Sequence, residues 1–157
     1  SLLSFSHATE DELTDININA VVKEALQILQ NKLNKLFRLQ YHVEFSQKIP
    51  RIHGNPTQII QVIVNLMNNA IDAIGEGSGN IWVRTKFDQK TKSISIEIED
   101  DGKEFDPTAL SEPEHVDKPL EEREIGGLGI HFVKKIMEEV SYRRKGEKNI
   151  LTLVIRV

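Results

Sequence analysis

The sequence contains no cysteine. That removes disulfides and thiolate metal sites, and it agrees with a cytoplasmic setting. There is no apolar run long enough to span a membrane and no signal-peptide pattern. Direct membrane insertion by this chain is not expected, although a longer parent protein is free to carry an anchor elsewhere. Positive charge is not in excess: 20 lysines and arginines face 24 aspartates and glutamates, a net charge of −4. Non-specific nucleic-acid binding is therefore not favoured, and no nucleic acid is expected among the partners. Internal repeats and low-complexity tracts are also missing. What is present is ordinary for a globular protein, 39% apolar and 28% charged. Its 157 residues suffice for one domain with a real core.

The stretch on which the rest turns is Asn55 to Ile74. Asn55 is suited to cap a helix. Pro56 follows at the first helical position, where its missing N–H costs nothing. Ile59, Ile60, Val62, Ile63, Val64, Leu66, Met67, Ile71 and Ile74 make the segment apolar nearly all round, which predicts a helix buried on most sides. Its polar residues are therefore the informative ones. At about 100° per residue, Gln58, Gln61, Asn65, Asn68, Asn69 and Asp72 fall within an arc of roughly 100°. Lysine, glutamate and arginine, the usual residues of a solvated face, are absent from this stripe. Asn65 and Asn69 stand one turn apart, so their side-chain oxygens can meet at one hard cation or one phosphate. The plainer alternative is an ordinary exposed face.

Ser1 to Asp15 starts apolar, with Leu2, Leu3 and Phe5, and turns acidic. It reads as the end of an upstream element followed by a linker. Asn17 can cap a helix carrying Val21, Val22, Ala25, Leu26, Ile28, Leu29, Leu33 and Leu36 at helical spacing. Tyr41 to Ser46 alternates like a strand, and Pro50 to Pro56 reads as a turn. After a glycine-rich break from Gly75 to Asn80, Ile81 to Phe87 and Ser93 to Glu99 alternate with period two and predict a hairpin around Asp88 to Lys92. Lys103 to Ile125 holds three prolines and many acids, with no sustained periodicity. A connection this long is expected to be a mobile, functional lid. A helix should follow, with Ile130, Val133, Ile136, Met137 and Val140 on one side. Arg143 to Asn149 reads as a charged turn, and Ile150 to Val157 as a closing strand.

Two further spots suit chemistry. Gly126, Gly127 and Gly129 stand where that last helix begins, so backbone N–H groups and the positive end of the helix dipole can meet a phosphate. Neither a Walker pattern nor a Rossmann fingerprint is present. Asp100 and Asp101 precede Gly102 at a strand end. A carboxylate there can accept a hydrogen bond from an exocyclic amine, as on adenine, and a plain turn is the alternative.

In this order, the Asn-rich helix, the strand pair ending in Asp-x-Gly, the long loop, the glycine box and the last strand resemble the Bergerat-type (GHKL) ATPase superfamily. That superfamily includes histidine kinases, anti-sigma serine kinases and gyrase B. The resemblance covers Ile16 to Val157. It implies an α/β fold, a two-layer α/β sandwich whose mixed, mainly antiparallel sheet packs against about three helices. G-N-P-T-Q-I-I-Q-V-I-V-N-L-M-N-N-A-I-D-A-I resembles the asparagine box of two-component histidine kinases. S-L-L-S-F-S, followed by D-I-N-I-N-A-V-V-K-E-A-L, resembles their junction between dimerisation helices and catalytic domain. Residues 1–15 are thus expected to be a linker from an upstream dimerisation and phosphoacceptor domain, and 16–157 an ATP-binding catalytic domain. D-D-G-K-E-F-D-P and K-P-L-E-E-R-E-I-G-G-L-G-I-H-F-V-K-K-I-M-E-E-V-S-Y are more similar to the anti-sigma serine kinases.

The resemblance implies ATP and Mg²⁺ as cofactors. Asn69 would coordinate the Mg²⁺, with Asn65 beside it. Asp100 would bind the adenine amine, and Gly102 would make room for the base. Gly127, Leu128 and Gly129 would line the phosphates, and Lys118 and Arg123 in the lid would reach the terminal phosphate. Glu104 departs from the pattern, standing where many relatives carry a second glycine. Asn65 departs from the serine-kinase branch, where a glutamate at this place acts as general base. A serine hydroxyl must lose a proton as it attacks phosphorus, whereas a neutral imidazole nitrogen already offers a lone pair. The expected activity is therefore transfer of the ATP γ-phosphate to a histidine on a separate domain. The expected partners are that domain of the parent chain, expected to be a homodimer, and a response regulator. The alternatives are an anti-sigma-factor-like serine kinase acting on an antagonist protein, and a non-catalytic nucleotide-dependent binding module. None of the chain's own five histidines, His7, His42, His53, His115 and His131, sits in an acceptor box.

Overall fold

The computed structural model describes residues 13–35, 39–109 and 137–157. The elements run β1 (Thr14–Ile16), α1 (Ile18–Lys35), β2 (Leu39–Glu44), β3 (Ile52–Gly54), α2 (Pro56–Ile74), β4 (Gly79–Asp88), β5 (Ser93–Asp100), a short 3₁₀ turn (Pro107–Ala109), β6 (Glu139–Lys145) and β7 (Lys148–Arg156). Five strands form one sheet in the order β2-β4-β5-β7-β6. Only β2 and β4 pair in parallel; the other neighbours are antiparallel. β1 and β3 form a separate antiparallel ribbon. The helices cover one face of the sheet, which gives the expected two-layer α/β sandwich. Two α-helices stand among the described residues. Most of the third expected helix falls on 110–136, outside them.

The local chemistry of α2 is as its sequence predicts. The Asn55 side chain accepts from the backbone N–H of Thr57 (3.0 Å) and Gln58 (3.4 Å), and Pro56 opens the helix. Ile63, Met67 and Val62 are fully buried against Ile81 and Val83 of β4, Ile94 and Ile96 of β5 and Leu153 of β7. Each such side chain contributes about 1.5–3 kcal/mol by leaving water. α1 is capped by Asn17, whose Oδ1 accepts from the Ala20 N–H (3.2 Å). Thr85, buried on β4, donates to Asn19 of α1 (2.7 Å) and accepts from the Ser46 N–H (3.1 Å), so no polar atom of its hydroxyl is wasted. The opposite face of the sheet carries charge. Arg84 reaches Glu44, Glu97 and Glu99 at 3.2–3.3 Å, and Lys148 pairs with Glu99 at 3.3 Å.

Several elements differ from the sequence reading. Val140 does not continue a helix, and Arg143 to Asn149 is not a turn. Glu139–Lys145 is strand β6, and only Gly146 and Glu147 separate it from β7. Val140, Tyr142 and Arg144 are half-buried while Ser141, Arg143 and Lys145 face solvent, so from Glu139 on the two-residue period of a strand wins over the helical spacing that reached Val140. Gly146 takes φ +61°, the left-handed backbone a tight hairpin needs. The stretch Pro50 to Pro56 contains β3, so His53 sits on a strand rather than in a turn. β1 reaches back to Thr14 to pair with it. Ile28, placed on the apolar stripe of α1, is 47% exposed. No described helix is long and apolar enough to cross a membrane.

Candidate functional site

The amide stripe of α2 is not an ordinary solvated face. Gln58, Gln61, Asn65, Asn68 and Asn69 are half-buried, and only Asp72 is exposed. Asn69 opens onto a recess between α2 and the sheet, walled also by Leu66, Asp100, Phe105, Tyr142 and Asn149. The recess measures about 310 Å³ including its open mouth. Asn65, one turn earlier, is not part of its wall. The Nδ2 atom of Asn69 is buried with no hydrogen-bond partner among the described residues. A buried amide atom left over in this way is costly unless something beyond the described residues satisfies it.

Asp100 ends β5 at the floor of the recess and is 5% exposed. Its Oδ1 accepts from the Gly102 N–H (2.9 Å) and from Asn149 Nδ2 (2.8 Å). Burial pushes its carboxyl above the usual aspartate range; the bonds from Asn149 and Gly102 and the charge of Arg144 pull against that, while Asp101 adds to it. Its neighbour Asp101 points elsewhere, taking the Asn80 N–H (2.7 Å) and Asn80 Nδ2 (3.0 Å).

Gly102 has a steric reason to be glycine. A Cβ there would lie 2.5–2.6 Å from backbone atoms of Ala73 and Ile74 in the last turn of α2. The next residue, Lys103, donates its N–H to the Ala73 carbonyl (3.0 Å). The D-x-G turn is thus pressed against the helix end, which sets Asp100 and Asn69 on the same recess. The first residues of the expected lid are held as well. The Phe105 N–H bonds Asn149 Oδ1 (3.2 Å), and Asp106 caps the 3₁₀ turn through the Thr108 N–H (2.8 Å).

Residues 50–155 match the family model described as the histidine kinase-like ATPase domain. The chain belongs to the histidine kinase-like ATPase domain family. Sporulation kinase E of Bacillus subtilis (strain 168) is 33% identical over 125 residues, which cover 78% of this chain and 16% of that kinase. The chain therefore spans about a sixth of that relative. The nucleotide-free catalytic domain of histidine kinase ThkA superposes with a TM-score of 0.73 at 21% identity, covering 92% of this chain and 97% of that one. ThkA in complex with the response regulator protein TrrA superposes with a TM-score of 0.68 at 20% identity, over 91% of this chain and 41% of that one.

Nucleotide use follows from membership of this ATPase family. Of the site residues expected from the sequence, the fold brings Asn69 and Asp100 to one recess and sets Gly102 beside it. Lys118, Arg123, Gly126, Gly127, Leu128 and Gly129 lie outside the described residues, as do His7, His115 and His131. His42 and His53 are exposed, away from the recess. Tyr142, Arg144 and Asn149 were missed by sequence reasoning, because a helix read through Val140 and a turn read over Arg143 to Asn149 hid their strand register. The available signal was the alternation Val140, Tyr142, Arg144, which puts a phenol and a guanidinium on the inner face. Burial raises the Tyr142 phenol above its usual range, so it stays a donor, and its O–H donates a hydrogen bond to Asn149 Oδ1 (2.7 Å).

Proposed function

We propose that this histidine kinase-like ATPase domain binds Mg²⁺–ATP and passes the γ-phosphate to a histidine on a separate domain of its parent protein. The observation that carries this reading is the meeting of Asp100 and Asn69 on one recess in a chain of this family. Asp100 accepts the hydrogen bond of the adenine amine. Gly127, Leu128 and Gly129 contact the phosphates, and Lys118 and Arg123 offset charge on the transferred group. The Asn69 amide suits a cation: a half-turn exchanges its nitrogen and oxygen and sets an oxygen where no described residue bonds it. Among the described residues no cluster of three or more His, Asp or Glu side chains exists to hold a metal. Mg²⁺ keeps its waters and uses few protein ligands alongside substrate phosphates. When bound, the ion would neutralise phosphate charge.

Asn65 cannot take a proton, which favours an acceptor that brings its own lone pair, the neutral imidazole, over a serine. The acceptor histidine then belongs to another domain of a dimeric parent, which is free to carry a membrane anchor. A response regulator would receive the phosphate, in keeping with the likeness to ThkA.

Two measurements test this. Calorimetry with a non-hydrolysable ATP analogue should show Asn69→Ala losing most of the gain in affinity that Mg²⁺ gives the unaltered domain. Equal binding by the unaltered domain with chelator and with Mg²⁺ would remove the metal role. The domain alone should label nothing stably with ATP. Mixed with the dimerisation helices of its parent, it should label a histidine, lost in acid and kept in base. Acid-stable labelling of a serine would turn the assignment to a serine kinase.

A further inference from the structure

The polar network behind Asp100 is larger than one hydrogen bond to a base requires, and Asn149 is its centre. Asn149 is 5% exposed. Its Nδ2 donates to Asp100 Oδ1 (2.8 Å) and to the Lys103 carbonyl (2.7 Å). Its Oδ1 accepts from the Phe105 N–H (3.2 Å), Tyr142 Oη (2.7 Å) and Arg144 Nη1 (3.0 Å). The same Arg144 nitrogen holds the Gly102 carbonyl (2.9 Å). Among the described residues, both hydrogen bonds on Asp100 fall on Oδ1 and neither on Oδ2.

We propose that Asn149 is a positioning residue for nucleotide selection: it pins Oδ1 of Asp100 so that Oδ2 is presented to the exocyclic amine of a purine. This rests on the reading of Asp100 as the acceptor for the base. A carboxylate turns about a broad, nearly two-fold torsion, so one anchored oxygen is what makes the other a directional acceptor. The Gly102 N–H alone is a single point of attachment on a turn. Asn149 is a better anchor because the β5–β7 ladder places it directly opposite Asp100. The same amide fixes Phe105 on the recess wall, so the acceptor and the wall keep one spacing.

The test uses the full 157-residue chain. ATP is compared by calorimetry with purine riboside triphosphate, which lacks the 6-amino group and keeps everything else. The unaltered protein should prefer ATP by about tenfold or more, the usual worth of a hydrogen bond to a charged group. Asn149→Leu keeps the bulk of the side chain but removes the donor to Asp100 without adding a second acid beside it. Its ATP preference should collapse to within about twofold, with affinity for the deaminated analogue changed far less. A merely structural role would weaken both ligands together, and that result overturns the proposal. Asn149→Ser, too short to reach Asp100, should give the same collapse and serves if the first variant does not fold. Retained ATP preference in a folded variant also overturns it. Asp100→Asn separates the two levels. If it loses the preference while the Asn149 variants keep it, the role of Asn149 fails and that of Asp100 stands. If Asp100→Asn itself keeps the preference, both fail.

Discussion

Asp100→Asn is expected to weaken ATP binding by about 1.5–3 kcal/mol, roughly ten- to a hundredfold, without weakening the fold. The substitution keeps the shape of the side chain. An asparagine oxygen at Oδ1 still accepts from the Gly102 N–H and from Asn149, so the turn keeps its ties. The other atom becomes an amide nitrogen, a donor facing the donor amine of the base. The fold itself should gain at neutral pH. Burial raises the folded carboxyl above its usual 3.8, so the folded state holds the proton more tightly than the unfolded chain. The sign follows: relative stability from this group is fully present below 3.8 and is lost as pH rises through the raised folded value. An uncharged asparagine does not suffer that loss. Thermal melts without nucleotide should therefore show the variant matching or exceeding the unaltered domain at pH 7, and losing that advantage toward pH 4. Calorimetry gives the affinity. Unchanged ATP affinity in a folded variant would take Asp100 out of the site.

What could be read from the sequence was what local chemistry decides. Asn55 and Pro56 mark a helix start because a cap and its first turn are neighbours in the chain. Ile94, Ile96 and Ile98 mark a buried strand face for the same reason. The asparagine stripe could be singled out because it lacked the charges of a solvated face, and its half-burial agrees. The misses lie where distant residues decide. β1 and β3 are three residues each, too short to show a period, and each exists because the other pairs with it. β6 alternates, but its outer residues are charged and read as a turn. Asn149 acquires its place only when the ladder sets it against Asp100, 49 residues earlier. Gly102 was singled out for space near a base. The contact the fold displays is with the backbone of α2, which no inspection of the D-x-G motif alone reveals.

That contact sets the second large effect. Gly102→Ala should destabilise the domain by about 1–3 kcal/mol, the range for forcing a methyl group into a packed site, and toward the upper end of it. The added Cβ would stand 2.5 Å from the Ala73 carbonyl carbon, 2.6 Å from its oxygen and 2.6 Å from the Ile74 nitrogen. These are backbone atoms, so no side chain can turn away to make room. The helix end cannot easily retreat, because Ile71 and Ala73 are buried in the same turn. The glycine cannot easily move out either, because Arg144 holds its carbonyl at 2.9 Å and Lys103 bonds the Ala73 carbonyl at 3.0 Å. Whichever side yields, the 2.9 Å bond from the Gly102 N–H to Asp100 is disturbed, so nucleotide affinity should fall together with stability. Gly77→Ala is the control, since a Cβ there meets nothing within 4 Å. It should lie within about 0.5 kcal/mol of the unaltered protein. At about 2–4 °C per kcal/mol for a domain of this size, the two variants should separate clearly in a thermal melt. Equal melting temperatures for the two would mean that the turn and the helix end are not pressed together, and the shared placement of Asp100 and Asn69 would lose its physical basis.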